Sequence, residues 1–385
     1  MKIRVVQFLI LLKYYICMIF VLLFKRKTEN IWLISERGDE ARDNGYSFFK
    51  YMKTNHPEQN VKYVISKNSP DYEKLKEYED DIIIYRSWKH HYYFINSRVL
   101  ISTHIMGYSP DFRSMGKLIR KKLIFFKGKQ VFLQHGITKD DSPGLYAEKT
   151  NLDIFVCGAK REFEYIRDNF HYTGQVKYTG FARYDYLENK LNNTILLMPT
   201  WRENLYHCSD EEFLNTEYYK NYNSLVNNAD LNKFLKKKNY KMIFYPHYEI
   251  QKRIHLFNNN QSNIIIANSK EYSVPELLKS ASLLITDFSS VYFDVAYLKK
   301  PVIYYHFDLE NYRKYHYKEG YFSYQNDGFG DIVSNENELI VKIKESINNN
   351  SKIEKKYEKR IDDFFVYRDK NNCKRIYEEI LNLIK

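Results

Sequence analysis

Four short stretches of the chain each close an apolar run with side chains that can move a proton or hold an anion. "VFLQHG" delivers His135, "LLMPTWRE" delivers Thr200 and Arg202, "IFYPHYE" delivers His247, and "LLITDFSS" delivers Asp287, Ser289 and Ser290. Histidine exchanges a proton near neutral pH, and arginine grips phosphate through a planar fork. Serines at the start of a helix add donors where unpaired N–H groups and the positive end of the dipole already favour an anion. The chemistry such a set can do is proton abstraction beside a bound phosphate. Any one of these residues has a plainer explanation: a histidine is commonly a hydrogen-bonded structural residue, and a serine behind an aspartate is commonly a helix cap. Their recurrence at four strand ends is what points to a site.

The elements that must position them are legible as an alternation. "NIWLIS", "VKYVIS", "DIIIYR", "RVLIST", "QVFLQHG", "LDIFVCG" and "VKYTG" read as strands, separated by helix-like stretches such as "GYSFFKYMKTN". A second series follows with "TILLMPT", "KMIFYPH", "NIIIANS", "LLITD" and "PVIYYHFD", and three helical segments then run to Lys385. Alternation of this kind predicts an α/β chain with two Rossmann-like domains, parallel sheets and a cleft between them. The expected division is an apolar helical segment at 1–28, one domain at 29–188 and a second at 189–385, with the boundary in the polar "YLENKLNN" around Tyr186 to Asn193. "SSVYFDVAYLKK" carries Val291, Val295 and Leu298 at helical spacing, which predicts Ser289 or Ser290 at a helix N-terminus.

At 385 residues the chain is long enough for two ordinary domains. Its formal net charge of +12 fits nucleic acid, a membrane surface or an anionic substrate equally. Lysine, asparagine, isoleucine and 37 tyrosines crowd the whole chain, as AT-rich coding produces, so the overall charge selects none of these partners. Cys17, Cys157, Cys208 and Cys373 are too scattered for a zinc site or a disulfide framework, which suits a reducing compartment. "GDEARD" reads as a polar loop, and no carboxylate cluster for a metal is expected. "FLILLKYYICMIFVLLF", Phe8 to Phe24, is almost wholly apolar, with Lys2 and Arg4 before it, Lys13 inside it, and Lys25, Arg26 and Lys27 after it. That pattern predicts a helix lying in the cytoplasmic membrane interface; a membrane-spanning signal anchor and a buried packing helix are the alternatives. "KLIRKKLIFFKGK", Lys117 to Lys129, alternates cations with apolar residues and reads either as an amphipathic surface helix or as a cradle for an anionic headgroup or polyphosphate chain.

Taken in order, "LQHG", "TGFARYDYL", "MPTWRE", "YPHYE", "ITDFSSVYFDVAYLKKPVIYYHFD" and a late "YRDKNNCKRI" resemble the CDP-glycerol glycerophosphotransferase family of teichoic acid and capsule polymer synthesis. The resemblance runs from about residue 30 to the C-terminus. It implies a GT-B-like pair of Rossmann domains, with an acceptor-binding N-terminal half and a donor-binding C-terminal half. It implies a CDP-activated polyol donor, release of CMP, a lipid-linked or polymer acceptor, and peripheral attachment to the cytoplasmic face of the membrane, with no metal, no cofactor and no nucleic acid. By the same resemblance His135 matches the family's general base and His247 a histidine near the donor phosphates. Thr200, Arg202, Asp287, Ser289 and Ser290 match its phosphate and nucleotide region, with Asp294, Arg183, Asp185 and Arg375 as further candidates. "FARYD" stands where the family commonly has "YPRND", and "ITKDD" where it commonly has a longer loop. A nucleotide-sugar glycosyltransferase of the same fold, or a noncatalytic polymer-binding protein, are the rival functions.

Overall fold

A computed structural model describes residues 5–23, 30–190, 192–315 and 318–385. The chain forms two compact units. The first takes the chain up to Ile137, Pro143–Tyr186 and Tyr367–Lys385; the second takes Thr138–Ser142 and Leu187–Val366.

In the first unit seven strands form one parallel sheet: β1 Trp32–Ser35, β2 Val61–Ile65, β3 Ile82–Ile84, β4 Val99–Ser102, β5 Lys129–Phe132, β6 Ile154–Cys157 and β7 Val176–Tyr178. The order is β3-β2-β1-β4-β5-β6-β7, so the winding reverses between β1 and β4. Every residue of β1, β4 and β6 is buried, as expected of parallel strands covered on both faces by helices. In the second unit six strands do the same: β8 Thr194–Leu197, β9 Lys241–Phe244, β10 Ile264–Ile266, β11 Leu283–Thr286, β12 Val302–Tyr305 and β13 Gly330–Val333. Their order is β10-β9-β8-β11-β12-β13, with the reversal between β8 and β11. Ligands of such sheets bind at the carboxyl ends of the strands flanking the reversal.

The α/β class with two parallel sheets and an apolar N-terminal helix is the one expected, and the structure corrects several details. Strand β13 was not foreseen: "GDIV" is an edge strand with one exposed and one half-exposed residue, and it lacks a continuous apolar run. The helix after "DFSS" spans only the seven residues Val291–Tyr297. Helix Phe112–Arg120 ends inside the basic stretch, and the chain from there to β5 is not helical. The last helix, Asn372–Ile384, was expected in the second domain but packs in the first unit. The physical reason is a clasp. Asp185 accepts from the Asn372 and Cys373 amides at 3.0 and 2.8 Å and from Asn372 Nδ2 at 2.8 Å, capping the helix across the chain. Arg375 Nε donates to the Thr179 carbonyl at 2.8 Å and its guanidinium lies 3.9 Å from the Tyr367 ring. Gly180 has φ +78°, and a Cβ there would stand 2.0 Å from Asn372 Oδ1, so the clasp needs glycine.

Helix Val5–Leu23 is long and apolar enough to cross a membrane by length and composition. Ile10, Tyr14 and Cys17 are buried, with Ile10 and Tyr14 in the first unit's core, while Phe8, Leu12, Ile16, Ile19 and Phe20 are exposed. The Tyr14 hydroxyl bonds the Phe125 backbone, Tyr15 donates to the Leu123 carbonyl at 2.8 Å, and Lys13 lies 5.5 Å from the Trp88 ring. Lys2, Arg4, Phe24, Lys25, Arg26 and Lys27 lie outside the described residues.

Candidate active site

In the first unit the chain leaves β5 through Leu133 and Gln134, both buried, and turns at His135. Gln134 adopts φ +56°, a left-handed conformation that a residue with a Cβ holds only when its surroundings impose it. Its Nε2 donates to the Val156 carbonyl at 2.7 Å and to Glu162 at 3.0 Å. Asn44, wholly buried at the start of helix Asn44–Asn55, donates to the Leu133 and Gln134 carbonyls at 3.2 and 2.8 Å. The same side chain accepts from the Arg183 amide at 3.0 Å, and Arg183 Nη1 pairs with Asp43 at 2.8 Å. Below them Glu36, just past β1, accepts from the Arg42, Asp43 and Tyr46 amides. Burial is the main force pushing its pKa upward.

This clamp turns His135 outward, with its ring 4.8 Å from that of His104 and within 10° of parallel. His104 follows β4, and its Nδ1 is 2.9 Å from Thr103 Oγ1. His135 is exposed at its outer edge, but the protein packed behind its ring, followed by Arg183 and Arg37, pushes its pKa down to about 4. The imidazole is therefore neutral near pH 7 and has a lone pair to accept a proton.

In the second unit Arg202 and Asp287 lie on either side of the reversal between β8 and β11, and both face inward. Arg202 is 3% exposed; its Nε and Nη2 bond Asp308 at 2.7 and 2.8 Å. Asp287 accepts from the Thr200 and Phe288 amides at 2.8 and 2.6 Å and from the Tyr222 hydroxyl at 3.2 Å. A buried guanidinium held between two carboxylates has its donors committed, so these two side chains hold the strand ends together. His306, beyond β12, stacks on Phe288 with centroids 4.4 Å apart and bonds the Asp287 carbonyl at 3.1 Å.

Ser289 and Ser290 are half-buried around the helix start, and Ser290 occupies the cap position without its side chain capping. Asp294 is buried in that helix. His247 Nδ1 accepts from the Glu249 amide at 3.2 Å, which assigns the proton of the neutral ring to Nε2 and makes that atom a donor. Its ring lies 6.0 Å from that of Trp201 and within 18° of parallel. A cavity of about 340 Å³ is lined by Trp201, Arg202, Tyr206, Glu249, Lys252 and Arg253 among others. Lys139 is buried against Asp140, which also pairs with Arg313 at 2.7 Å. Among the described residues no group of three or more His, Cys, Asp or Glu could hold a metal ion.

Of the residues expected at a site, His135, His247, Thr200, Ser289 and Ser290 stand at strand ends with exposed or half-exposed surface, and Arg183 lies against the Asn44 clamp of the loop that carries His135. Asp185 and Arg375 belong to the C-terminal clasp instead. Sequence reasoning missed His104, His306 and Asp308, although "ISTHI" and "YYHFD" carry the same strand-end signal. Asn44 had no such signal, because its partners lie 89 to 139 residues away.

The profile of the CDP-Glycerol:Poly(glycerophosphate) glycerophosphotransferase family matches residues 16–382. The minor teichoic acid biosynthesis protein GgaB of Bacillus subtilis (strain 168) is 37% identical over 377 residues, covering 94% of this chain and 40% of GgaB. The teichoic acid poly(glycerol phosphate) polymerase of the same organism is 24% identical over 345 residues, covering 83% of this chain and 44% of that protein. The chain thus spans less than half the length of these curated relatives. The solved wall teichoic acid polymerase TagF shares the fold, and a form soaked with CDPG aligns at TM-score 0.69 and 17% identity over 100% of this chain and 99% of that one.

Proposed function

Because this chain belongs to the CDP-glycerol:poly(glycerophosphate) glycerophosphotransferase family, we propose that it moves a glycerol phosphate, or a related polyol phosphate, from a CDP-activated donor to a hydroxyl of a membrane-linked surface polymer or its primer. His135 takes the proton of the acceptor hydroxyl, and the resulting oxygen bonds the donor's β-phosphorus. The bond from that phosphorus to the bridging oxygen breaks, and CMP leaves. The first unit carries the acceptor and the second the donor.

Charge on the donor phosphates is met by the His247 Nε2 donor and by the Ser289 and Ser290 hydroxyls, with Thr200 beside them. Arg202, Asp287 and Asp308 fix those groups in place without touching the donor. The exposed face of helix Val5–Leu23 lies in the membrane interface, which brings the chain to a lipid-linked acceptor at the cytoplasmic surface.

The observation that carries the reading is His135 clamped outward at the end of β5, beside His104, in a chain of this family. A panel of CDP-glycerol, CDP-ribitol and a nucleotide sugar, offered with a glycerol phosphate oligomer, tests it through released nucleotide. Turnover confined to a CDP-polyol is expected. Sugar incorporated into the product would favour the glycosyltransferase reading, and no turnover of any donor would favour a binding protein.

A further inference from the structure

Three adjacent strands of the first sheet, β1, β4 and β5, each end in a cationic or proton-accepting side chain on the same edge. These are Arg37 two residues past β1, His104 two past β4, and His135 three past β5. Arg37 forks onto Glu40 through Nε and Nη2 at 2.9 to 3.2 Å, and among the described residues its Nη1 makes no hydrogen bond. His104 engages Thr103 through Nδ1, which leaves Nε2 as its unused ring atom. His135 stacks on it, and the charge of Arg37 acts on both rings. The other charged groups around the cluster are Glu40, paired with Arg37, and Arg183, paired with Asp43.

Burial of the two stacked imidazoles, and after it the charge of Arg37 on both rings and of Arg183 on His135, disfavours protonation, so without a ligand both rings stay neutral. An anion changes that balance, because a nearby negative charge favours the protonated form of a histidine and accepts directly from Nη1 and Nε2. A phosphate offers several acceptor oxygens to such a diverging set of donors, whereas a neutral alcohol offers one.

We propose that Arg37 and His104, beside His135, form a subsite for a phosphate of the acceptor, the phosphodiester neighbouring the hydroxyl that His135 activates. The first unit then selects an acceptor that already carries a phosphate over a neutral alcohol. This deepens the proposed function and rests on the acceptor binding beside His135.

The test uses the full chain with CDP-glycerol and two acceptors of similar length, a short glycerol phosphate oligomer and an uncharged alkyl glycerol. The readout is the ratio of their kcat/KM values. The unaltered protein should favour the oligomer, and Arg37→Gln and His104→Asn should each lower that ratio about tenfold, the loss of one charge-assisted hydrogen bond. Arg37→Lys should fall between. Inorganic phosphate should compete with the oligomer in the unaltered protein and less well in Arg37→Gln. Thermal unfolding of each variant separates misfolding from lost recognition. An unchanged ratio in both folded variants overturns the subsite, as does an equal loss on both acceptors. Undiminished turnover by His135→Ala would instead overturn the base assignment, so the two failures are distinguishable.

Discussion

Arg202 Nη1 stands 2.9 Å from Asp287, with the two side chains 4% and 0% exposed. One ion pair therefore ties the end of β8 to the end of β11, and Asp308 extends the tie to the end of β12. Breaking a buried pair by removing one partner leaves an unpaired charge and costs about 3–5 kcal/mol. Arg202→Ala and Asp308→Ala should each lower stability by that order in urea unfolding, with donor affinity lost in proportion to folding. A variant that keeps full stability but no longer binds CMP would show Arg202 to be a direct donor contact.

The proposed general base makes a different kind of prediction. His135→Ala should reduce kcat about a hundredfold to ten-thousandfold while CMP binding by calorimetry survives, because in the proposed reaction the residue meets the acceptor hydroxyl and not the donor. Loss of CMP binding along with turnover would contradict that division.

Since the Ser290 hydroxyl does not cap its helix, removing it costs no cap. Ser289→Ala with Ser290→Ala should weaken CMP binding several-fold and leave the unfolding temperature nearly unchanged. Unaltered CMP affinity would remove both serines from the donor site.

Helix Val5–Leu23 should be separable into a packing stripe and a membrane face. Leu12→Glu and Ile16→Glu, on the exposed side, should shift the protein from sedimented anionic vesicles to the supernatant without unfolding it. Tyr14→Ala should instead destabilise the first unit, because Tyr14 is 1% exposed within its core. Vesicle binding that survives both glutamates would move the attachment to another surface.

His90 links stability to pH. Its Nδ1 accepts from the Arg86 amide at 3.2 Å and its Nε2 bonds the Tyr108 carbonyl at 2.9 Å, so the neutral ring is satisfied on both sides. Burial is the chief cause that pushes its pKa down from 6.5 to about 3. Between those values the unfolded chain takes up a proton that the folded chain refuses, so stability present above about pH 6.5 falls as the pH drops toward 3, by on the order of a few kcal/mol. Urea midpoints measured across that range should fall more steeply for the unaltered protein than for His90→Gln; equal slopes would show that other groups govern the acid transition.

Both parallel sheets are legible along the chain, because buried strands need short apolar runs and turn-rich ends, and twelve of the thirteen strands carry that pattern. The residues at those ends are legible too, since a strand of four residues leaves little freedom over where its carboxyl edge falls. Strand β13 escaped because an edge strand needs apolar residues on only part of its surface. Which strand-end residues face outward was decided by tertiary structure alone. Arg202 and Asp287 look like ligand groups in "PTWRE" and "ITDFSS", yet Asp308, about a hundred residues beyond Arg202, turns the arginine inward. His135 and His104, 31 residues apart, become a stacked pair only because β4 and β5 are neighbours in the sheet. Asn44 acquires its purpose from carbonyls 89 and 90 residues further along. Local pattern sets the elements, whereas the commitment of a polar side chain depends on which distant partner reaches it first, and that is fixed only when the sheet has closed.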